Sequence, residues 1–218
     1  WLDQGEGPDS ILSGFTIQGL GHNCMYIAGS SPRLENLVIE DCGSDSGVYG
    51  GGAQVIAASP TFASVTFQNN TAERGGAIYV ADASDISIEN SAFVGNQAES
   101  GGAILVSNSV LTASESRFDS NQAHFGNAGA LFMDSSIVDI QNSHFDSNQA
   151  TFDGGAILAE GGSLTLTGMS TFSNNVSSFG EGGSIRLEAT DPVIVTDTDF
   201  SFNTAGSHGG AVSMTAVG

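Results

Sequence analysis

Two carboxylates flanking a single threonine, Asp197 and Asp199, are the nearest approach in this sequence to the paired acids that general acid–base hydrolysis of a glycosidic bond requires. Asp119 and Asp146 each directly follow a phenylalanine in successive copies of a repeat, which suits them to share a cation such as Ca²⁺ with turn carbonyls. His22, His124, His144 and His208 are the remaining candidates for proton transfer or metal binding. They show no HxxH or HExxH spacing and no neighbouring cysteine pair. Lysine is absent, and Arg33, Arg74, Arg117 and Arg186 fall in different parts of the repeat, so spacing assembles no cationic partner for the acids. Aspartates of this kind ordinarily face water, and no EF-hand or GGxGxD loop accompanies them. The sequence therefore points to no catalytic residue, no metal ligand and no cofactor, with Ca²⁺ at Asp119 and Asp146 the one case to weigh.

These residues hang on a repeat of about 26 residues, in which an aromatic precedes an asparagine by three positions and a glycine pair follows, then Ala and an aliphatic residue. Phe67/Asn70 leads to Gly75-Gly76-Ala77-Ile78, and Phe93/Asn96 leads to Gly101-Gly102-Ala103-Ile104. The pattern continues through Asn121, Asn148, Asn175 and Asn203, with Ile39, Cys42 and Gly51-Gly52-Ala53 as a degraded first copy. After each glycine pair, apolar residues alternate with variable ones, as in Ile78-Tyr79-Val80, the period of a half-buried strand. A second alternating segment precedes each Phe, as in Ile86-Ser87-Ile88. Two or three short strands per unit, no helical period and no room for a crossover helix imply an all-β, right-handed parallel β-helix, a solenoid of roughly eight coils rising about 4.8 Å each. We expect one domain over 1–218, irregular over 1–59 and regular over 60–218, as a piece of a longer exported protein.

On that frame the Phe residues form an internal stack, and Asn70, Asn96, Asn121, Asn148, Asn175 and Asn203 form a structural amide ladder at a turn. The variable position of the first strand reads Val55, Tyr79, Leu105, Phe132 and Leu158, flanked by an Ala column, and is a candidate interface stripe. Phe125, Phe152 and Phe179, four residues after successive ladder asparagines, either stack on one another to brace their loops or form an aromatic rail for sugar or protein.

Composition narrows the partners. The formal charge of −20 disfavours nucleic acid and anionic membrane surfaces, since phosphate binding needs clustered Lys and Arg. No apolar run is long enough to cross a bilayer, so no membrane insertion is expected of this segment. Cys24 and Cys42, 18 residues apart, fall in neighbouring coils where a disulfide is sterically open.

The GGA[ILV] and FxxN repeats resemble those of the polymorphic outer-membrane proteins, well over residues 60–215 and more loosely over 11–59. They are also similar to right-handed β-helix repeat proteins more widely. The resemblance implies an autotransporter-like passenger, extracellular or at the cell surface, adhesive or structural in role, with a membrane-embedded barrel elsewhere. Together these readings give a non-catalytic scaffold whose partners are a protein or glycan at the cell surface, or further copies of itself. The alternative is a carbohydrate-binding or carbohydrate-active module on the same fold.

Overall fold

The structure, a computed structural model, describes residues 1–43 and 47–215; the last three positions of the expected domain lie outside it. Each coil has four faces, one more strand than the sequence pattern suggests. The first follows the glycine pair (Ile78–Ala81, Ile104–Ser107), the second precedes the Phe (Asp85–Glu89, Val110–Ser114), and the third carries it (Ala92–Val94, Arg117–Asp119). The fourth is a short strand after the ladder Asn (Gln97–Ser100, Gln122–Ala123) whose inward residue is a small Ala98 or Ala123. Every strand pairing is parallel, and the coils stack in register, as in Ile78↔Ile104, Ile86↔Leu111, Phe93↔Phe118 and Ala98↔Ala123, with one shift between Gln18 and Leu20 in the N-terminal coil. In two coils the first and second faces run on as single strands, Leu131–Gln141 and Ile157–Thr167, which merge those faces into one sheet. The result is an all-β, right-handed parallel β-helix of about seven turns, and eight strands stack on the third face between Thr16–Leu20 and Thr198–Ser201.

The Phe stack runs through Phe67, Phe93, Phe118, Phe145, Phe172 and Phe200 with centroids 4.4–5.1 Å apart and rings within 15° of parallel. That spacing is the inter-strand distance of a sheet, so the backbone rise sets the ring separation. Opposite the stack, Ile78, Val80, Ile86 and Ile88 and their equivalents in the central coils close the interior, while Val195, Val212 and Met214 of the last coil are exposed.

The corner after each Phe turns through a left-handed residue, such as Asn69, Gly95, Ser120 or Ser147, and delivers the ladder Asn inward. Each buried amide then has its full set of partners. Asn121 Nδ2 donates to Asn148 Oδ1 at 3.0 Å and to the Phe93 carbonyl at 3.0 Å, while its backbone N–H donates to the same Asn148 Oδ1 at 3.0 Å. The pattern repeats from Asn70 to Asn203, and Cys42 N–H joins it by donating to Asn70 Oδ1. Two serine ladders do the same at other corners. Ser91, Ser116 and Ser143 each donate a backbone N–H to the hydroxyl one coil on, as do Ser84 and Ser109. Cys24 and Cys42 form a disulfide near the N-terminal end.

The glycine pair is required by close approach: a Cβ on Gly102 would lie 2.1 Å from the Gly129 carbonyl oxygen. In the early coil there are three glycines, and it is Gly50, at φ +67°, that occupies the left-handed position held by Gly75 and Gly101. Gly52 therefore takes the place of Ala77, where a Cβ would meet the Phe67 ring at 2.8 Å, and Ala53 pairs with Ile78.

Two outcomes follow from this packing. Asn148→Leu leaves the Asn121 N–H and the Phe118 carbonyl without their partner, and should lower stability by about 1–3 kcal/mol in chemical denaturation. Ser184, buried in the Ala column with no partner for its hydroxyl, is the reverse case. Ser184→Ala should raise stability by about 1 kcal/mol on the same assay.

Candidate functional site

The expected stripe does not survive as an exposed strip. The register places Gln54, not Val55, beside Tyr79; Val55 pairs with Val80 and is fully buried, because the third glycine shifts that coil by one residue. The Ala column is likewise internal: Ala77, Ala103, Ala130 and Ala156 face the core, since the residue before each strand already points inward. Leu105 and Leu158 point outward but are only 3% and 1% exposed, on either side of the half-buried Phe132. At one end of the row Tyr79 packs on Tyr49 with centroids 5.0 Å apart. At the other, Arg186 stacks on Leu158 and is itself 11% exposed, held by Glu181 at 2.6 Å and Glu188 at 3.0 Å. The row is a packed seam sealed at both ends.

Beside that seam runs a column the sequence reading passed over. Asp134, Glu160 and Glu188 pair in register on three successive coils. Burial pushes the Glu160 carboxyl above the ordinary 4.5, with Glu188, Asp134 and Asp153 adding to the effect. Its signal was present: all three acids stand at one offset from the glycine pair.

On the third face Asp119 and Asp146 are register partners, as their spacing implied. Asp119 pairs with Arg117 at 3.2 Å, while Asp146 accepts hydrogen bonds from Ser173, Asn174 and Ser147. Burial raises the Asp119 carboxyl against the opposing pull of Arg117, and the Ser173 hydroxyl is the main cause of the lowering at Asp146. Asp197 and Asp199 are both exposed, Asp197 in a left-handed turn. His144 Nδ1 is 2.8 Å from Thr171 Oγ1, and His208 Nδ1 lies 3.3 Å from Glu181. Among the described residues, no three His, Cys, Asp or Glu side chains converge as a cation site.

The loops after the fourth face differ. Phe125, Phe152 and Phe179 are 84%, 46% and 74% exposed and form no ring pair with one another, so the bracing stack is not the arrangement found. They are braced through backbone instead: Phe125 N–H donates to Thr151 Oγ1, Phe152 N–H to the Gly126 carbonyl, and Phe179 N–H to the Thr151 carbonyl. The loop after Asn121 is two residues longer than that after Asn96, so it overhangs the coils before it. Under the overhang lies a cleft of about 290 Å³, floored by Thr71, Gln97, Ala98 and Glu99 and walled by His124 and Phe125.

A family model described as the right-handed beta helix region matches residues 4–177. No curated protein and no solved structure matches the chain. No helix among the described residues is long and apolar enough to cross a membrane.

The acid column generates a pH dependence of definite sign. With its carboxyl raised in the fold, Glu160 holds its proton at pH values where the unfolded chain has released it. Stability from this group is present below 4.5 and is lost as pH rises through the folded value. Glu160→Gln should therefore melt higher than the wild type at pH 7, and the gap should close below about pH 4 in parallel thermal scans.

Proposed function

Since the chain belongs to the right-handed β-helix family, which holds both enzymes and non-enzymes, we propose that it is a non-catalytic rod that acts by contact outside the cell, in adhesion or in building a surface assembly. One observation carries this reading: Phe125, Phe152 and Phe179 stand exposed at one offset on three successive loops, a row rather than the scattered exposure of Ile137, Met169 or Phe202. Large apolar side chains kept exposed in a row mark a surface that a partner covers. Each arginine is spoken for, by Glu35 and Glu89, by the Tyr49 ring, by Asp119, or by Glu181 and Glu188. The arginines are thus engaged within the rod rather than held free for a reacting group.

The disulfide supports an oxidising exterior, because such bonds persist in secreted proteins and are reduced in the cytosol. The formal charge of −20 suits a soluble surface-exposed rod and a partner that is neutral or basic. Likeness of the GGA[ILV] and FxxN repeats to those of polymorphic outer-membrane proteins agrees with an exported passenger role. Neither a metal nor a cofactor enters this reading.

Beads carrying the purified rod should be retained on surfaces coated with a neutral glycan or with a basic protein. Changing Phe125, Phe152 and Phe179 together to Ser should abolish retention while leaving thermal melting within a few degrees of the wild type. Equal retention of the triple variant, or release of shortened chains from a polysaccharide panel by the wild type, overturns the reading.

A further inference from the structure

Phe125 is a phenylalanine at φ +70°, a conformation that L residues with a bulky side chain rarely adopt. It is also 84% exposed, so no packing of the ring repays the strain within this chain. The fold nevertheless fixes it. Its N–H donates to Thr151 Oγ1 at 3.0 Å, and Thr151 Oγ1 in turn donates to the Ala123 carbonyl at 3.3 Å. The next residue, Gly126, lies so close to the preceding coil that a Cβ there would sit 2.0 Å from the Glu99 carbonyl oxygen. An exposed ring carried on a strained, fixed backbone at the lip of a cleft is a pre-positioned contact.

The chemistry of the cleft selects its occupant. Phe125 offers a flat apolar face, and Thr71, Gln97, Glu99 and His124 offer hydroxyl, amide, carboxylate and imidazole groups within the same 290 Å³. One apolar face with several hydrogen-bonding groups suits a ring that is apolar on its faces and rimmed with hydroxyls. Glu99, on a chain of formal charge −20, disfavours anionic ligands. An extended peptide would seek backbone partners here and find them taken: Gln97 N–H donates to the Asn70 carbonyl, Gln122 N–H to Asn96, and His124 N–H to Ala98. We infer that the ledge under Phe125 is a binding site for a neutral oligosaccharide, with Phe125 as the stacking platform and Gln97, Glu99 and His124 reading the hydroxyls. Phe152 and Phe179, on the next two loops, extend the contact along the rod axis. This inference rests on the contact reading given above and names the partner's class.

Isothermal titration of the purified chain with cellohexaose, maltohexaose and chitohexaose, and with an oligogalacturonate as the acidic control, tests it. At least one neutral probe should bind and the acidic one should not. Phe125→Gly removes the ring and the backbone strain together, so it should melt no lower than the wild type yet bind about tenfold more weakly or not at all. Gln97→Leu should weaken binding as well. The inference is overturned if no neutral probe binds the wild type, or if Phe125→Gly binds it unchanged. Phe125-dependent attachment to a protein surface in the absence of any glycan binding also overturns it, in favour of a protein ligand. Shortening of a probe whose binding depends on Phe125 supports the site while overturning the non-catalytic reading, so the two fail separately.

Discussion

The amide ladder from Asn70 to Asn203 is the constraint on which the rest of this rod depends. From Asn96 onward each Oδ1 accepts both a side-chain and a backbone N–H from the coil before it, and each Nδ2 also reaches a Phe carbonyl one coil back; at Asn70 the Oδ1 accepts the Cys42 N–H and the Nδ2 reaches the Ile39 carbonyl. A turn that carries polar backbone into the interior would otherwise leave those groups unpaired, at a cost of about 1–3 kcal/mol apiece. Because the donors and acceptors come from neighbouring coils, the ladder is satisfied only when the coils stack in register. That register brings Phe over Phe and aliphatic over aliphatic, so burial of the core and satisfaction of the corner are one condition. The two serine ladders extend the same logic to other corners.

A frame so constrained varies chiefly in the outward side chains and in the loop between the ladder Asn and the glycine pair, the other corners changing by a single residue. Two extra residues after Asn121 leave the coil intact and convert a flush wall into a ledge. The strained backbone at Phe125 is tolerated because its N–H bond to Thr151 Oγ1 and close packing at Gly126 over-determine it. The strain at this projecting residue is thus borne by a loop while the neighbouring ladder carries the fold.

What was legible in the sequence followed from that same division. The Phe stack, the Asn ladder and the solenoid could be read because each coil must repeat them, and repetition is visible without coordinates. Val55 was misplaced because a run of three glycines hides which pair makes the turn, and one residue of slip exchanges the inner and outer faces of a strand. Leu105 and Leu158 looked exposed because alternation reports direction and not accessibility; only the bulk of Phe132 and Arg186 in adjacent coils shows that they are covered. The serine ladder was within reach, since Ser91, Ser116, Ser143 and Ser170 all stand two residues before a stacked Phe. The cleft was not, because it arises from a difference between loops and a repeat alignment is built on their likeness.

In-register stacking also explains where this polyanion puts its charge. A parallel solenoid sets equivalent positions about 4.8 Å apart, so a conserved acid offset would build an unscreened column of carboxylates. The third face avoids this by setting Glu40 between the amides of Gln18 and Gln68, which both donate to it. The second face sets Asp139 between Thr112 and Thr165. Where two acids do stack, at Asp119 and Asp146, an arginine takes one and three hydrogen-bond donors take the other. The column Asp134, Glu160, Glu188 lacks that relief at its centre, and it is there that burial and like charge act together on a carboxyl. Acidity is tolerable in this architecture to the extent that neighbouring coils differ, so the outward residues are held apart by electrostatics while the inward ones are held alike by packing.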